Sequence, residues 1–287
     1  MSEIRKVAVV GAGTMGSQIA LQTAYSGRYQ VALQDAMPEQ LARATEQNER
    51  LATRAVERGR RSAEEVKSAL AAITTSSGLT QATSDADLVI EAVPENLDVK
   101  LEVWQRLATD ANPSAVLASN SSTIAISRLA EASTRPAQCC NMHFFHPVTV
   151  MQLCEIVRGP QTSEETVATA VQFVQSIDRV PVVLQKEIHG FIANRILFAA
   201  SEEALRLLEG GYASVVDIDT AVKKGLNWPM GPFELLDFSG VDIFVGAIDD
   251  RARAEGGPGA PQVLRDKVAK GELGRKTGKG FYEYPKR

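Results

Sequence analysis

His143 and Glu155 are the side chains of this chain best suited to move a proton, and both lie in the stretch NMHFFHPVTVMQLCEIV, residues 141–157. An imidazole titrates nearer neutrality than any other unperturbed side chain, so it can take and return a proton at ordinary pH. A carboxylate on its far ring nitrogen would fix the tautomer and favour the imidazolium formed on the way. Glu155 sits within LCEIV, residues 153–157, which reads as a strand. A carboxylate among such neighbours is costly unless it is paired. The alternative is bland: a histidine in an apolar run such as 142–145 is often a core residue satisfied by a neighbour. The rest of the chain decides between these readings by what it would bring to the pair.

Residues 4–10, IRKVAVV, read as a buried strand, and Gly11-Ala12-Gly13-Thr14-Met15-Gly16 follows as G-x-G-x-x-G. Helical character runs over 17–26, a second strand over 31–34, and Asp35 ends that strand. This order is that of a dinucleotide-binding unit. Gly11 suits a tight turn, Gly13 a close approach of backbone to a pyrophosphate, and Gly16 close helix–strand packing. The helix N-terminus offers unpaired N–H groups and a positive dipole end to phosphate. Asp35 would accept from the adenosine ribose hydroxyls and repel a 2′-phosphate, which favours NAD over NADP.

Residues 38–59 and 62–72 read as an antiparallel helix pair, with Pro38 at a helix start and Gly59 at a stop. The first carries Arg43, Arg50, Arg54 and Arg58, with Arg60 and Arg61 just beyond it. Such a run is a solvated face or a basic patch for an anionic handle. Strand and helix then alternate: DLVIEA at 87–92, a helix over 96–108, a strand over 115–119. That alternation implies a doubly wound, mostly parallel sheet. Ligands of such sheets sit at the carboxyl ends of the strands, where Glu95 and residues 119–123 fall.

Composition narrows the class further. A net charge of −4 disfavours a general nucleic-acid surface. Cys139, Cys140 and Cys154 have no metal-ligand spacing, so no metal site is expected. Their low, odd count suits reduced thiols and a cytoplasmic location. The chain shows no secretory signal and no apolar run long enough to span a membrane.

Five segments together resemble the 3-hydroxyacyl-CoA dehydrogenase family, in particular its short 3-hydroxybutyryl-CoA dehydrogenase branch. They are the glycine motif with Asp35, EAVPENLDVK at 91–100, ASNSSTIAIS at 118–127, HFFHPVTVMQLCEIV at 143–157 and HGFIANRIL at 189–197, and the ending GRKTGKGFYEY at 274–284 is also typical. The resemblance implies an NAD-dependent oxidation of a 3-hydroxyacyl-CoA to the 3-oxo thioester, with His143 as catalytic base and Glu155 as its partner. It implies that Ser122 contacts substrate and the nicotinamide side, and that Asn194 helps to hold the substrate. It places Glu95, Lys100 and Lys276 along the cofactor site. One departure stands out: the family often reads HFFNP, with the asparagine used near the nicotinamide, whereas here the fourth residue is His146, which either replaces it there or shifts the cofactor geometry. Leu51 stands where some relatives have a CoA-contacting serine, so that contact is not carried over, and Arg54 and Arg58 are left as candidates for the CoA phosphates.

A last strand is expected over 180–184, after which the pattern turns helical. The expected organisation is an NAD-binding Rossmann domain over 1–187, with a helical-hairpin insertion, and an all-α substrate and dimerisation domain over 188–287. Expected helices cover 191–208, 216–224, 233–238 and 241–253, with EGGPGAP at 255–261 as a mobile loop. The many apolar helix faces in this second part suit a homodimer, as the resemblance also implies. Two other functions fit the residues less fully: a related dehydrogenase of a non-CoA hydroxy acid such as a sugar acid, and a non-catalytic NAD-binding protein on the same fold.

Overall fold

The structure, a computed structural model, describes residues 4–285. It divides into two compact units, Met1–Phe191 and Ile192–Arg287. The first is built on an eight-stranded sheet. In chain order its elements are β1 (Lys6–Val10), α1 (Thr14–Tyr25), β2 (Gln30–Gln34), α2 (Pro38–Glu57), α3 (Ala63–Ala71), β3 (Ile73–Ser76), α4 (Leu79–Thr83) and β4 (Leu88–Glu91). They continue as α5 (Leu97–Asp110), β5 (Val116–Ser119), α6 (Ser127–Ala130), β6 (Cys139–Phe144), β7 (Leu153–Arg158), α7 (Glu164–Ser176) and β8 (Val180–Leu184).

Strand order is β3-β2-β1-β4-β5-β6-β7-β8. All neighbours are parallel except β6 and β7. The expected doubly wound, mostly parallel sheet is therefore present, with the α2–α3 helices inserted between β2 and β3. Successive strand residues point to opposite faces, and each face has its own core. Val7, Val9, Ile90 and Met142 pack with Ile19 of α1 and Phe173 of α7. Ala8, Val10, Val89 and Leu117 pack with Trp104 and Leu107 of α5. Burying Trp104 and Leu107 completely contributes roughly 1.5–3 kcal/mol for a side chain of leucine size and more for the indole.

Helix starts follow local chemistry. The Asn96 carboxamide accepts from the Asp98 and Val99 amides at the head of α5. Ser62 and Glu65 form a reciprocal capping box on α3. Three elements escape a reading by periodicity. The edge strand β3, ITTS, has one apolar residue and pairs only with β2. The strand β6, CCNMHF, is fully buried yet carries Asn141 and His143. The helix α7 packs Ala170, Phe173 and Val174 onto the sheet.

The second unit contains α8 (Ala193–Glu209), α9 (Val215–Gly225), α10 (Pro232–Ser239), α11 (Val241–Glu255) and α12 (Gln262–Ala269). Leu205, Ile218, Phe233, Leu236, Phe244 and Leu264 form its core. Helix α8 starts two residues later than its pattern suggests, because Gly190 and Phe191 both have positive φ. Two buried aspartates organise this unit. Asp219 accepts from the Phe233 and Glu234 amides at the head of α10 and from the Tyr282 hydroxyl. Asp237 accepts from the Phe281 and Tyr282 amides and the Tyr284 hydroxyl. The C-terminal GRKTGKGFYEY segment is thus tied to α10. A side chain at Gly280 would meet the Asp237 carboxylate at 2.0 Å, which is why that position takes glycine.

Candidate active site

Antiparallel pairing of β6 and β7 sets His143 directly opposite Glu155. Directly opposed residues share a face, and here the Nδ1 of His143 lies 2.9 Å from Oε2 of Glu155. Both are buried, at 5% and 0% exposure. The Phe145 and Phe191 rings flank the imidazole, with centroids at 4.4 and 5.5 Å. With Nδ1 engaged by the carboxylate, Nε2 is the ring nitrogen left to exchange a proton with a substrate.

A row of polar residues continues along the same face. Register places Glu91 beside Ser119 and Ser119 beside Asn141. Their strand neighbours Ile90, Ala118, Cys140 and Met142 belong to the α1-side core. Alternation therefore turns Glu91, Ser119, Asn141, His143 and Glu155 toward the other side. Glu91, fully buried, accepts from four donors: Lys100 Nζ at 2.6 Å, Ser119 Oγ at 2.7 Å, the Val93 amide at 2.8 Å and Trp104 Nε1 at 3.3 Å. Lys100, also buried, lies 3.4 Å from Glu95. Glu95 in turn accepts from the Ser121 and Thr123 hydroxyls and the Ser122 and Thr123 amides, at 2.5–3.1 Å. Burial alone would raise the pKa of Glu95. The charge of Lys100 and the hydroxyl and amide bonds together outweigh it, so the carboxyl ionises below its usual range.

Within the serine run, Ser121 closes the turn by accepting from the Thr123 and Ile124 amides, while Ser122 is half-buried with its amide on Glu95. The Asn120 carboxamide accepts from the amide of Phe144, which joins this turn to β6 next to His143.

At the glycine motif, Gly11 has φ +101° and a Cβ there would lie 2.7 Å from the Ala92 carbonyl oxygen. A Cβ on Gly16 would fall 1.8 Å from the Gly11 oxygen, whereas one on Gly13 would meet nothing within 4 Å. The open space at Gly13 faces the head of α1, which has neither a side-chain cap nor an acidic residue in its first turn. Those features suit an anionic pyrophosphate. Asp35 accepts from the Ala12 and Met37 amides, both at 2.9 Å, and so anchors the glycine loop to the end of β2. The residues present fit NAD.

The family models for the NAD binding domain and the C-terminal domain of 3-hydroxyacyl-CoA dehydrogenase match residues 6–188 and 190–284. The chain belongs to the 3-hydroxyacyl-CoA dehydrogenase family. A relative described as a probable 3-hydroxybutyryl-CoA dehydrogenase of Deinococcus radiodurans is 38% identical over 97% of this chain and 100% of its own. The solved structure of an (S)-3-hydroxybutyryl-CoA dehydrogenase from Ralstonia eutropha superposes with a TM-score of 0.92 at 35% identity, covering 99% of this chain and 100% of that one. A solved diketoreductase, described as acting on dicarbonyl compounds, gives 0.88 at 34% identity over 99% and 100% of the two chains.

As a member of this family, the chain is an NAD-dependent oxidoreductase. Its remaining candidate residues are placed as follows. His146 is exposed, and the partial burial of its ring lowers its pKa from the ordinary imidazole value. The turn that carries it is pinned at Val148, whose amide donates to Gln18 of α1 and whose carbonyl accepts twice from Arg179. Arg54 and Arg58, at the end of α2, are exposed. Arg50 and Arg61, of the same basic run, pair with Glu46 and Glu65. Asn194 is half-buried in the first turn of α8, and Lys276 pairs with Asp242; both belong to the helical unit. No group of metal-ligating side chains occurs among the described residues. Burial pushes the Cys139 thiol up to about 11 and the other two higher still, so all stay protonated and inert as nucleophiles. Among the described residues no helix is long and apolar enough to cross a membrane.

Glu91 is not among the candidates drawn from the sequence. Its signal was available: a glutamate ending the buried run LVIE needs a partner, and Lys100 follows one helical turn into α5.

Proposed function

We propose that this enzyme interconverts short-chain (S)-3-hydroxyacyl-CoA, 3-hydroxybutyryl-CoA foremost, with the 3-oxoacyl-CoA, and that His143 carries the proton. The observation that carries the reading is the buried His143–Glu155 pair, 2.9 Å apart on one face of the sheet. Nδ1–H directed at Glu155 leaves Nε2 unprotonated and ready to take the substrate hydroxyl proton, and the carboxylate stabilises the imidazolium that results. NAD, when bound, supplies the acceptor for the C3 hydride. Gly11 to Gly16 and Asp35 hold the dinucleotide, with Thr14 and Met15 contributing backbone amides and the Ala12 amide tying the loop to Asp35. Glu95, His146 and Lys276 shape the cofactor site, with the buried Lys100 acting behind Glu95. Ser122 and Asn194 orient the hydroxyl and thioester oxygens by hydrogen bonds. Arg54 and Arg58 are proposed for the CoA phosphates, because exposed guanidiniums suit phosphate. The short-chain preference rests on the names of the relatives from Deinococcus and Ralstonia.

Steady-state rates with acetoacetyl-CoA, longer 3-oxoacyl-CoAs and free 3-oxo acids, each with NADH and NADPH, test this reading. The highest kcat/KM is expected for acetoacetyl-CoA with NADH. The likeness to a diketoreductase supports a second reading, a dehydrogenase of non-CoA acids, and faster turnover of free acids than of thioesters would establish it. NADH binding without turnover of any of these compounds would leave only a non-catalytic role.

A cytoplasmic homodimer through the C-terminal helices completes the proposal. Its supports are the three free cysteines and the exposed Ile196 (57%), Val216 (59%), Leu226 (64%) and Ile243 (59%) of the helical unit. Sedimentation at micromolar concentration should give twice the chain mass of 30.9 kDa, and a monomer would remove the dimer.

A further inference from the structure

The polar network under the serine turn contains more charge than a core needs. Glu91 is 0% and Lys100 1% exposed, and replacing a buried ion pair by apolar residues of similar volume is often neutral or stabilising. A pair kept at that expense suggests a task beyond stability. Two routes of hydrogen bonds, the first with an ion pair as one link, leave Glu91, and both end on the same turn. By the first, Glu91 holds Lys100, Lys100 faces Glu95, and Glu95 accepts from Ser121, Ser122 and Thr123. By the second, Glu91 accepts from the Ser119 hydroxyl, and the oxygen of that hydroxyl accepts from the Ser121 amide at 3.2 Å. Trp104 and the Val93 amide fix the Glu91 carboxylate from its other sides.

We propose that Glu91 is a positioning residue for the reaction: acting through Lys100, Glu95 and Ser119, it sets the 121–123 turn that presents Ser122. Lys100 is covered by the Glu91 carboxylate and the Val93 carbonyl, so it acts on the site through Glu95. The inference rests on the proposed role of Ser122 at the reacting end of the substrate.

The experiment separates positioning from mere charge neutralisation. Glu91→Gln, Lys100→Met and the double variant are compared with the unaltered protein. The measurements are thermal midpoint, kcat with acetoacetyl-CoA at saturating NADH, NADH affinity, and hydrogen exchange at the Ser122 and Thr123 amides. Each single variant leaves one buried charge short of a partner and should be less stable; the double variant, with neither charge, should recover the thermal midpoint. If the pair positions the turn, the double variant still loses its ammonium beside Glu95. Its kcat should then stay low by on the order of 10²-fold, more than its NADH affinity changes, with faster exchange at the two amides. Recovery of kcat together with the midpoint would overturn the proposal. So would a low kcat with unchanged exchange, because the loss would then not pass through the turn. If the double variant does not fold, Glu91→Gln alone, close in shape to glutamate, takes the same measurements. If the unaltered protein does not turn over acetoacetyl-CoA, the substrate reading fails separately, and amide exchange still decides whether Glu91 and Lys100 hold the turn.

Discussion

His143→Gln is expected to lower kcat by about 10²–10⁴-fold, the usual contribution of a positioned general base, while NADH binds as before. Glutamine is chosen over alanine for a structural reason. Glu155 is fully buried, and alanine would take away the hydrogen bond that the imidazole makes to this carboxylate. The loss of one hydrogen bond to a buried charged group costs roughly 1.5–3 kcal/mol. A carboxamide still donates toward Glu155 but has no basic nitrogen. The protein should therefore fold, as near-unchanged circular dichroism and thermal midpoint would show. Stopped-flow or steady-state rates with acetoacetyl-CoA and a fluorescence titration with NADH measure the two quantities. A fall of less than about tenfold would place the proton elsewhere, since tenfold is only about 1.4 kcal/mol of barrier.

The sequence shows why this pair is legible before any coordinates. A lone histidine in an apolar run carries little information, but a glutamate among Leu153, Cys154, Ile156 and Val157 has to be satisfied by something. The parallel half of the sheet was equally readable, because β1, β2, β4 and β5 are short apolar runs separated by helices. What escaped has physical reasons. The burial of β6 is set by its neighbours β5 and β7, and nothing in CCNMHF announces it. Glu91 and Lys100 meet only because the end of β4 and the first turn of α5 fold against each other. Asp219 and Asp237 look like ordinary surface acids of helices and become core caps only when the C-terminal segment returns to α10. Tertiary partners, absent from local pattern, decide each of these cases.

Asp35→Ala is expected to weaken NADH binding by about 10–100-fold, the loss of one charge-assisted hydrogen bond of roughly 1.5–3 kcal/mol. The same change should weaken NADPH far less. The carboxylate has acceptor sites beyond the two taken by the Ala12 and Met37 amides, so it can serve the loop and a ribose hydroxyl at once. Removing it therefore does two things. Loosening of the glycine loop acts on the shared pyrophosphate and lowers both affinities alike. Loss of the negative charge acts on the 2′ position only, where a phosphate within about 4 Å would be repelled by several kcal/mol near a protein surface. The loop effect cancels in the ratio of the two dissociation constants, and the charge effect remains. Fluorescence titration with both cofactors gives that ratio directly. A fall in the preference for NADH by on the order of 10²-fold identifies Asp35 as the discriminating group. Equal weakening of both cofactors would instead make it only the strut between β2 and the glycine loop, and the preference for NAD would have to come from another side chain.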